Sequence, residues 1–305
     1  MKVLNFGSLN LDYVYRVDHF VQAGETLSAL SQTVKAGGKG LNQSIALARA
    51  GATVYHAGCV GRGGEMLRTL LKSNDVRDDY LRTVDVLQGN AMIQVSQTGE
   101  NCILLFGGSN QCISEEQIQE TFAAFSAGDW LVLQNEVNMI GLMVELAFQK
   151  GMRIALNPSP FNEKLRDVDF NKLSWILMNE IEAEQLTGCS DPEQAWKTVH
   201  ERYPRLSVLI TLGSAGSMAW SVDSGNVERA CQKAYPVEAV DTTAAGDTFT
   251  GYFISGLIDH RSLQCCMEMA SKAAAIAVTK LGAAESIPDR KQVDSDGAAS
   301  ALKME

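Results

Sequence analysis

The run Asp241 to Gly251 (DTTAAGDTFTG) sets small residues ahead of an acid that opens a helix continuing through Ile254 and Leu257. Backbone N–H groups at Ala244, Ala245 and Gly246 would lie open at a helix start bearing about half a positive charge, an anion hole for a transferring phosphoryl group. A carboxylate at Asp247 would stand beside that hole as acceptor for a hydroxyl proton. The plainer alternative is an acid that only stabilises the helix dipole.

A second segment, Gly37 to Ser44 (GGKGLNQS), has three glycines in four residues and leads straight into an apolar-periodic helix. Glycine there lets backbone approach a ligand, and the helix start offers unpaired N–H groups. It is no Walker A loop, because no glycine lies five residues before Gly38 and Gly40 follows Lys39 where Ser or Thr is required. A glycine-rich turn between strand and helix is the alternative. Asn10 and Asp12, just beyond the first strand, share one face of an extended chain, so an amide and a carboxylate can address adjacent hydroxyls of one sugar. A strand-end Asx turn explains them equally simply.

Asn179 and Glu182 follow a strand and start a helix, where they can hold water around Mg²⁺ or merely cap the helix. Thr211, Gly213 and Gly216 form a loop after a strand, suited to lie against a nucleotide but without the GxGxxG spacing of a dinucleotide fold. HExxH, GxSxG and histidine clusters are absent, which leaves metallohydrolase and serine hydrolase chemistry without residues. The four histidines (19, 56, 200 and 260) read as surface or incidental.

The elements that must position these residues alternate. Apolar strand-like runs at Val3 to Leu9, Val54 to Val60, Trp130 to Gln134, Arg153 to Leu156, Trp175 to Met178 and Val208 to Leu212 are separated by helical periodicity at Asn42 to Ala50, Glu65 to Asn74, Glu115 to Ser126, Ile140 to Lys150 and Pro192 to Arg202. This order predicts an α/β fold with a mostly parallel sheet covered on both faces. Asp12 to Ala36 and Asn90 to Phe106 read as strand without helix, the latter turning at Gln97 to Asn101, and so predict β excursions that either cover a cleft or form a plain edge hairpin. The last dozen residues, polar and rich in Ser, Asp and Ala, are expected to fray.

At 305 residues, 46% hydrophobic and 20% charged, the chain is large enough to bury a core without staples. Its formal charge of -10 and lack of basic runs argue against nucleic acid and membrane partners. Without an 18-residue apolar stretch or a signal-like N-terminus, a cytoplasmic location is expected. Seven cysteines, odd in number and without CxxC, are expected to be reduced and mostly buried.

Taken together, these segments resemble the ribokinase-like (PfkB) sugar kinase family over essentially the whole chain. One family signature is similar to Gly37 to Gly61, with Gly38, Gly40, Asn42, Ser44, Gly51 and Gly61 in register, and the other to Asp241 to Gly251; GSLNLD, LNPSP, NEIEAE and TLGSAG add to the match. The resemblance implies a three-layer sandwich core (1–11, 37–89 and 107–305) with a small antiparallel β lid (12–36 and 90–106). It implies a sugar pocket of Asn10, Asp12, Gly38, Lys39, Asn42 and Glu136 with Asp247 as general base. Asn179 and Glu182 would organise Mg²⁺ around ATP, Thr211, Gly213 and Gly216 would face the nucleotide, and Asp241, Thr243, Ala277, Gly282 and Ser286 would hold K⁺. A homodimer clasped through the lids is implied as well.

The implied activity is ATP-dependent phosphorylation of a primary hydroxyl of a small sugar, D-ribose at O5 first. A nucleoside, fructose or ketodeoxygluconate is the alternative acceptor, and a sugar-binding regulator without turnover the alternative class. Three positions depart from the family pattern: Gln22-Ala23-Gly24 lacks a proline before the glycine, Tyr252 follows Gly251 where a small residue is usual, and Ser271 replaces an adenine-side histidine.

Overall fold

Apolar residues in the central strands alternate between two separate cores. Leu4, Leu131, Leu133, Ile154, Ile176 and Ile210 pack on one side and Val3, Val132, Ala155, Leu177 and Leu209 on the other, as the two-residue repeat of a strand requires. The structure is a computed structural model that describes residues 1–295. Its strands are β1 (Val3–Phe6), β2 (Asn10–Arg16), β3 (Ser31–Gly37), β4 (Val54–Arg62), β5 (Arg77–Leu87), β6 (Asn90–Val95), β7 (Asn101–Phe106), β8 (Trp130–Gln134), β9 (Arg153–Asn157), β10 (Trp175–Asn179), β11 (Ser207–Thr211), β12 (Ser217–Asp223) and β13 (Asn226–Gln232). The α-helices are α1 (Lys39–Arg49), α2 (Glu65–Ser73), α3 (Glu115–Ala123), α4 (Ile140–Gln149), α5 (Glu180–Thr187), α6 (Pro192–Arg202), α7 (Ala245–Ile258), α8 (Leu263–Val278) and α9 (Arg290–Asp294).

Nine strands form the large sheet in the order β13-β12-β11-β10-β9-β8-β1-β4-β5. All pairings from β11 to β5 are parallel, and β12 and β13 extend one edge antiparallel. Buried residues of α1, α2, α7, α8 and α9 join one core, and those of α3, α4, α5 and α6 the other. The expected α/β sandwich is therefore present. Chain order reverses at β1, which lies between β8 and β4. In open α/β sheets such a reversal opens a crevice at the carboxyl ends of the strands.

A second, four-stranded sheet has the order β3-β2-β6-β7. Its two hairpins are antiparallel and meet through a parallel pairing of β2 with β6. Residues 17–30, which read as strand, form none: Val17 N–H donates to Val95 O at 3.0 Å and Leu30 N–H to Arg16 O at 2.8 Å, and between them the chain leaves the sheet, with β2 and β3 supplying the pairing on either side. The turn between β6 and β7 closes through Ser96 N–H donating to Glu100 O at 3.0 Å.

Two expectations about side chains need correction. Of the seven cysteines, all free, only Cys59 and Cys266 are buried. Cys102 and Cys231 lie on the edge strands β7 and β13 with side chains to solvent, and Cys265 is also exposed. Edge strands cover one side of the pleat at most, so a cysteine there need not be inside. Among the histidines, His56 is neither surface nor incidental. It is wholly buried in β4, bonded through Nδ1 to Ser44 Oγ at 2.8 Å, and burial pushes its pKa down to about 4. The segment expected to fray falls almost entirely in 296–305, outside the described residues. Among the described residues no helix is long and apolar enough to cross a membrane.

Candidate active site

The start of α1 is pressed onto the end of β1. Gly38 has φ +96°, and a Cβ on Gly40 would lie 2.3 Å from Ser8 N, so the glycines of this loop are required by the chain's own backbone. Leu41 N–H donates to Ser8 O at 2.9 Å and Gly40 N–H to Ser8 Oγ at 3.2 Å, which complete the contact. Ser8 Oγ in turn donates to Glu136 Oε2, and Lys39 N–H reaches the same oxygen at 3.0 Å. Glu136 follows β8, so the ends of neighbouring strands and the first turn of α1 converge on one carboxylate.

Helices α1 and α7 also touch closely, since a Cβ on Gly251 would come within 2.4 Å of Ala46 Cβ. That contact brings two amides of α1 to the acid of α7. Asn42 Nδ2 donates to Asp247 Oδ2 at 3.0 Å and Gln43 Nε2 to Asp247 Oδ1 at 2.9 Å, and Asp247 is only 7% exposed. At the α7 N-terminus Ala244 takes a left-handed conformation, φ +60°. Among the described residues the N–H groups of Gly246 and Asp247 have no acceptor, whereas Ala245 N–H turns back to Thr242 O at 3.2 Å. Left-handed backbone at a non-glycine residue costs about 1 kcal/mol or more and persists where its surroundings impose it. Here it turns the chain so that free donors face a cavity.

That cavity, about 250 Å³, is lined by Lys39, Asn179, Glu182, Thr211, Asp247 and the segment Ala244 to Gly246. Burial works against the Lys39 charge, yet the carboxylates of Asp247, Glu136 and Glu182 outweigh it and hold the ammonium above the ordinary lysine range. Asn179 and Glu182 form a reciprocal capping box: Asn179 Oδ1 accepts Glu182 N–H at 2.8 Å and Glu182 Oε2 accepts Asn179 N–H at 3.0 Å. Both the capping role and the cavity-lining role are thus present, and Glu182 Oε1 and Asn179 Nδ2 make no bond of their own among the described residues.

A second cavity of about 250 Å³ lies beside the small sheet and is lined by Asn10, Asn110, Gln111, Asn135, Glu136 and Lys164 among others. Asn110 Nδ2 donates to Asn10 Oδ1 at 2.7 Å. Asp12, on β2 opposite Lys35 of β3, lays its carboxyl over Gly37, where a Cβ would meet Oδ2 at 2.0 Å. Burial and the neighbouring Glu136 raise the Asp12 pKa to about 6, against a smaller pull from Lys35. Glu136 is raised in the same way, by burial first.

The largest of these three cavities, about 570 Å³, is bounded by Thr211, Gly213, Gly216, Tyr235, Phe249 and Ser271 with neighbouring alanines and valines. It is the most apolar of the three in composition and suits a flat ring. Tyr252, the bulky residue after Gly251, is fully buried and donates its hydroxyl to Pro288 O at 2.6 Å.

The proposed cation residues are only partly drawn together. Asp241 accepts Thr243 N–H at 2.9 Å and Gly282 N–H at 3.0 Å; these bonds outweigh burial and hold its carboxyl below the usual range. Ala277 O accepts Lys280 N–H and Ser286 donates to Ala283 O at 2.8 Å, and neither bonds to Asp241. Four polar residues of this region were not singled out in the sequence: Ser8, Gln43, Asn110 and Gln134. Gln43 adjoins Asn42 within GGKGLNQ, and Gln134 is the one polar residue ending the apolar run WLVLQ; an amide that terminates a buried strand was the available signal.

The family model described as pfkB family carbohydrate kinase matches residues 1–290. A ribokinase of Haemophilus influenzae is 35% identical over 295 residues, covering 94% of this chain and 95% of the relative, and one of Schizosaccharomyces pombe is 33% identical, covering 96% and 97%. Among solved structures, a ribokinase from Cryptococcus neoformans in complex with ADP superposes with a TM-score of 0.83 at 33% identity, covering 96% of this chain and 98% of that one. Arabidopsis thaliana ribokinase complexed with ribose and ATP superposes at 0.85 and 27% identity, covering 100% and 99%. A fold, two signatures and a family match that run through nearly the whole chain agree: the chain belongs to the pfkB family of carbohydrate kinases.

Proposed function

We propose that this carbohydrate kinase transfers the γ-phosphoryl group of ATP to O5 of D-ribose, giving ribose 5-phosphate and ADP. The observation that carries the reading is the place of Asp247: a buried carboxylate held by Asn42, one residue from the free N–H of Gly246, in the wall shared with Lys39. Relatives named ribokinase, and the Arabidopsis complex with ribose and ATP, support the acceptor.

In this reading Asn10, Asp12, Gly38, Lys39, Asn42 and Glu136 surround the sugar. Asn42 Oδ1 is buried and unpartnered, an acceptor that a sugar hydroxyl satisfies. Asp247 takes the O5 proton as O5 bonds to the γ-phosphorus and the bond to the ADP oxygen breaks. The N–H groups of Gly246 and Asp247, with that of Ala244, meet the charge on the transferring oxygens. Thr211, Gly213 and Gly216 border the nucleotide, with the adenine in the largest cavity.

The free Glu182 Oε1 fits the water shell of a hydrated Mg²⁺, with Asn179 holding that carboxylate through the capping box; the ion when bound would offset the charge of the phosphates. Thr243 and Gly282, whose N–H groups are gathered on Asp241, would with Asp241, Ala277 and Ser286 hold K⁺. Segments 12–36 and 90–106 act as the lid over a core of 1–11, 37–89 and 107–305, and exclude water from the reaction. The outer strand of that lid leaves Ile103, Leu104, Leu105 and Phe106 exposed, a surface that supports a homodimer through paired lids.

ADP release measured with ATP, Mg²⁺ and K⁺ against ribose, fructose, ketodeoxygluconate and nucleosides tests the proposal. Ribose should turn over fastest, and Asp247→Asn should lose about two to four orders of magnitude in kcat. Faster turnover with a nucleoside, or full activity of Asp247→Asn, overturns it.

A further inference from the structure

Gln43 stands between the base and a chain of buried amides. Its Nε2 donates to Asp247 Oδ1 at 2.9 Å, while its Oε1 accepts from Gln134 Nε2 at 2.7 Å. Gln134 Nε2 also donates to Asn5 Oδ1 at 3.0 Å, and Asn5 Nδ2 donates to Gly40 O at 2.9 Å and to Ser44 Oγ at 2.8 Å. Asn5, Gln43 and Gln134 have no exposed surface.

An amide on its own can present either its oxygen or its NH2 to a neighbour. Here the NH2 of Gln134 faces the oxygen of Gln43, so Gln43 can offer Asp247 only an N–H. With Asn42 on the other oxygen, the carboxylate receives a donor at each side. Two such donors, one on each oxygen, fix its plane.

We propose that Gln43, oriented by Gln134, is a positioning residue for phosphoryl transfer, holding the Asp247 carboxylate aimed at the acceptor hydroxyl; the inference rests on Asp247 being the base. The chain of amides ends on β1 and β8, the strands whose ends carry Ser8 and Glu136. The base and the sugar-binding carboxylate are thereby referenced to the same two central strands, although Asp247 itself sits on α7. A core that needed only volume at these positions would be filled with apolar side chains, since each buried amide must find every partner. The charged groups that sense Asp247 are Lys39 at the start of α1 and Glu136 after β8, with Glu182 acting on Lys39. Every variant below leaves these in place.

The test measures kcat, the ribose and ATP KM values and the melting temperature for Gln43→Leu, Gln43→Glu, Gln134→Leu and Asp247→Asn. Gln43→Leu should lower kcat by about 10- to 100-fold with ribose KM within about twofold and little change in melting temperature. Gln43→Glu, near-isosteric and so a safeguard if the leucine variant does not fold, should lower kcat at least as far because it sets a second carboxylate against Asp247 where the amide donated. Gln134→Leu frees the Gln43 amide to turn over and should give a smaller loss of the same kind. Wild-type kcat in both Gln43 variants, or a loss confined to KM or to melting temperature, overturns the inference. Retained turnover in Asp247→Asn instead removes the base assignment, so the two failures are distinguishable.

Discussion

The backbone N–H of Lys39 donates to Oε2 of Glu136 at 3.0 Å, joining the first residue of α1 to the loop after β8. Ser8 donates to the same oxygen, so in the proposed reading the second carboxylate oxygen is the one left for a sugar hydroxyl. Glu136→Gln keeps an oxygen for both donors but loses the charge. Ribose KM should rise about tenfold, the effect of weakening one charge-assisted bond, with ATP KM little changed. Steady-state kinetics with each substrate varied in turn check this, and an equal rise in both KM values contradicts it.

Asp12 supplies a pH dependence. Its pKa is raised to about 6, so the carboxylate, which in the proposed reading accepts sugar hydroxyls, is progressively protonated below that pH. Ribose affinity should fall by up to tenfold per pH unit below about 6, and Asp12→Asn should bind weakly with a flat profile. For folding the sign is opposite. A raised carboxyl pKa adds stability at pH values below its unfolded value near 3.8, and that contribution fades as pH rises through about 6. Calorimetric titration of ribose binding between pH 5 and pH 8 reads the first effect, and thermal melts of the ligand-free protein across pH 4 to 7 read the second.

Gly251 carries the contact between α1 and α7. In an exposed helix Gly→Ala is stabilising by about 1 kcal/mol, but here the added Cβ would lie 2.4 Å from Ala46 Cβ. Gly251→Ala should therefore cost about 1–3 kcal/mol, as overpacking does, and lower kcat by spreading the helices that hold Asn42 and Gln43 against Asp247. Denaturant melts decide the sign, and a higher midpoint would contradict the packing account.

The outermost strand of the small sheet gives a prediction about assembly. Leu104 is 68% exposed between Ile103 and Leu105, which are themselves half exposed. On the proposed pairing of lids, the protein should be a dimer by light scattering and Leu104→Glu a monomer, while the isolated fold keeps its melting behaviour within about 0.5 kcal/mol, the usual range for a surface change.

Much of this site was legible in the sequence because its parts are local. Asp241 to Gly251 and Gly37 to Ser44 each encode a helix start, and a helix start is written in consecutive residues. The continuous apolar strands β8, β10 and β11 were equally plain. Strand β5 was not, since Arg77–Leu87 is mostly polar on an edge of the sheet and lacks the apolar run that marks a central strand. In the β12–β13 hairpin only the edge strand β13 is of that kind; β12 lies inside the sheet, and its apolar residues are broken up by Ser217, Ser221 and Asp223. Long-range polar pairing was the least visible. Gln43 meets Asp247 across 204 residues and Gln134 across 91, and nothing in local spacing announces a partner at that distance. His56 shows the same blindness, for its burial depends on Ser44 and the strand pairing around it rather than on its neighbours in sequence.

The three cavities follow the chain. The one beside the small sheet is built from residues between Asn10 and Lys164, and the apolar one from residues between Thr211 and Val278. In the proposed reading, recognition of the acceptor and recognition of the donor are thus written in opposite halves of the sequence and meet where Lys39, Asn42 and Gln43 of α1 face the α7 N-terminus and its Asp247. A substitution that retunes the choice of sugar therefore need not disturb the nucleotide, and the two specificities are free to drift apart in evolution while one short wall keeps the chemistry fixed.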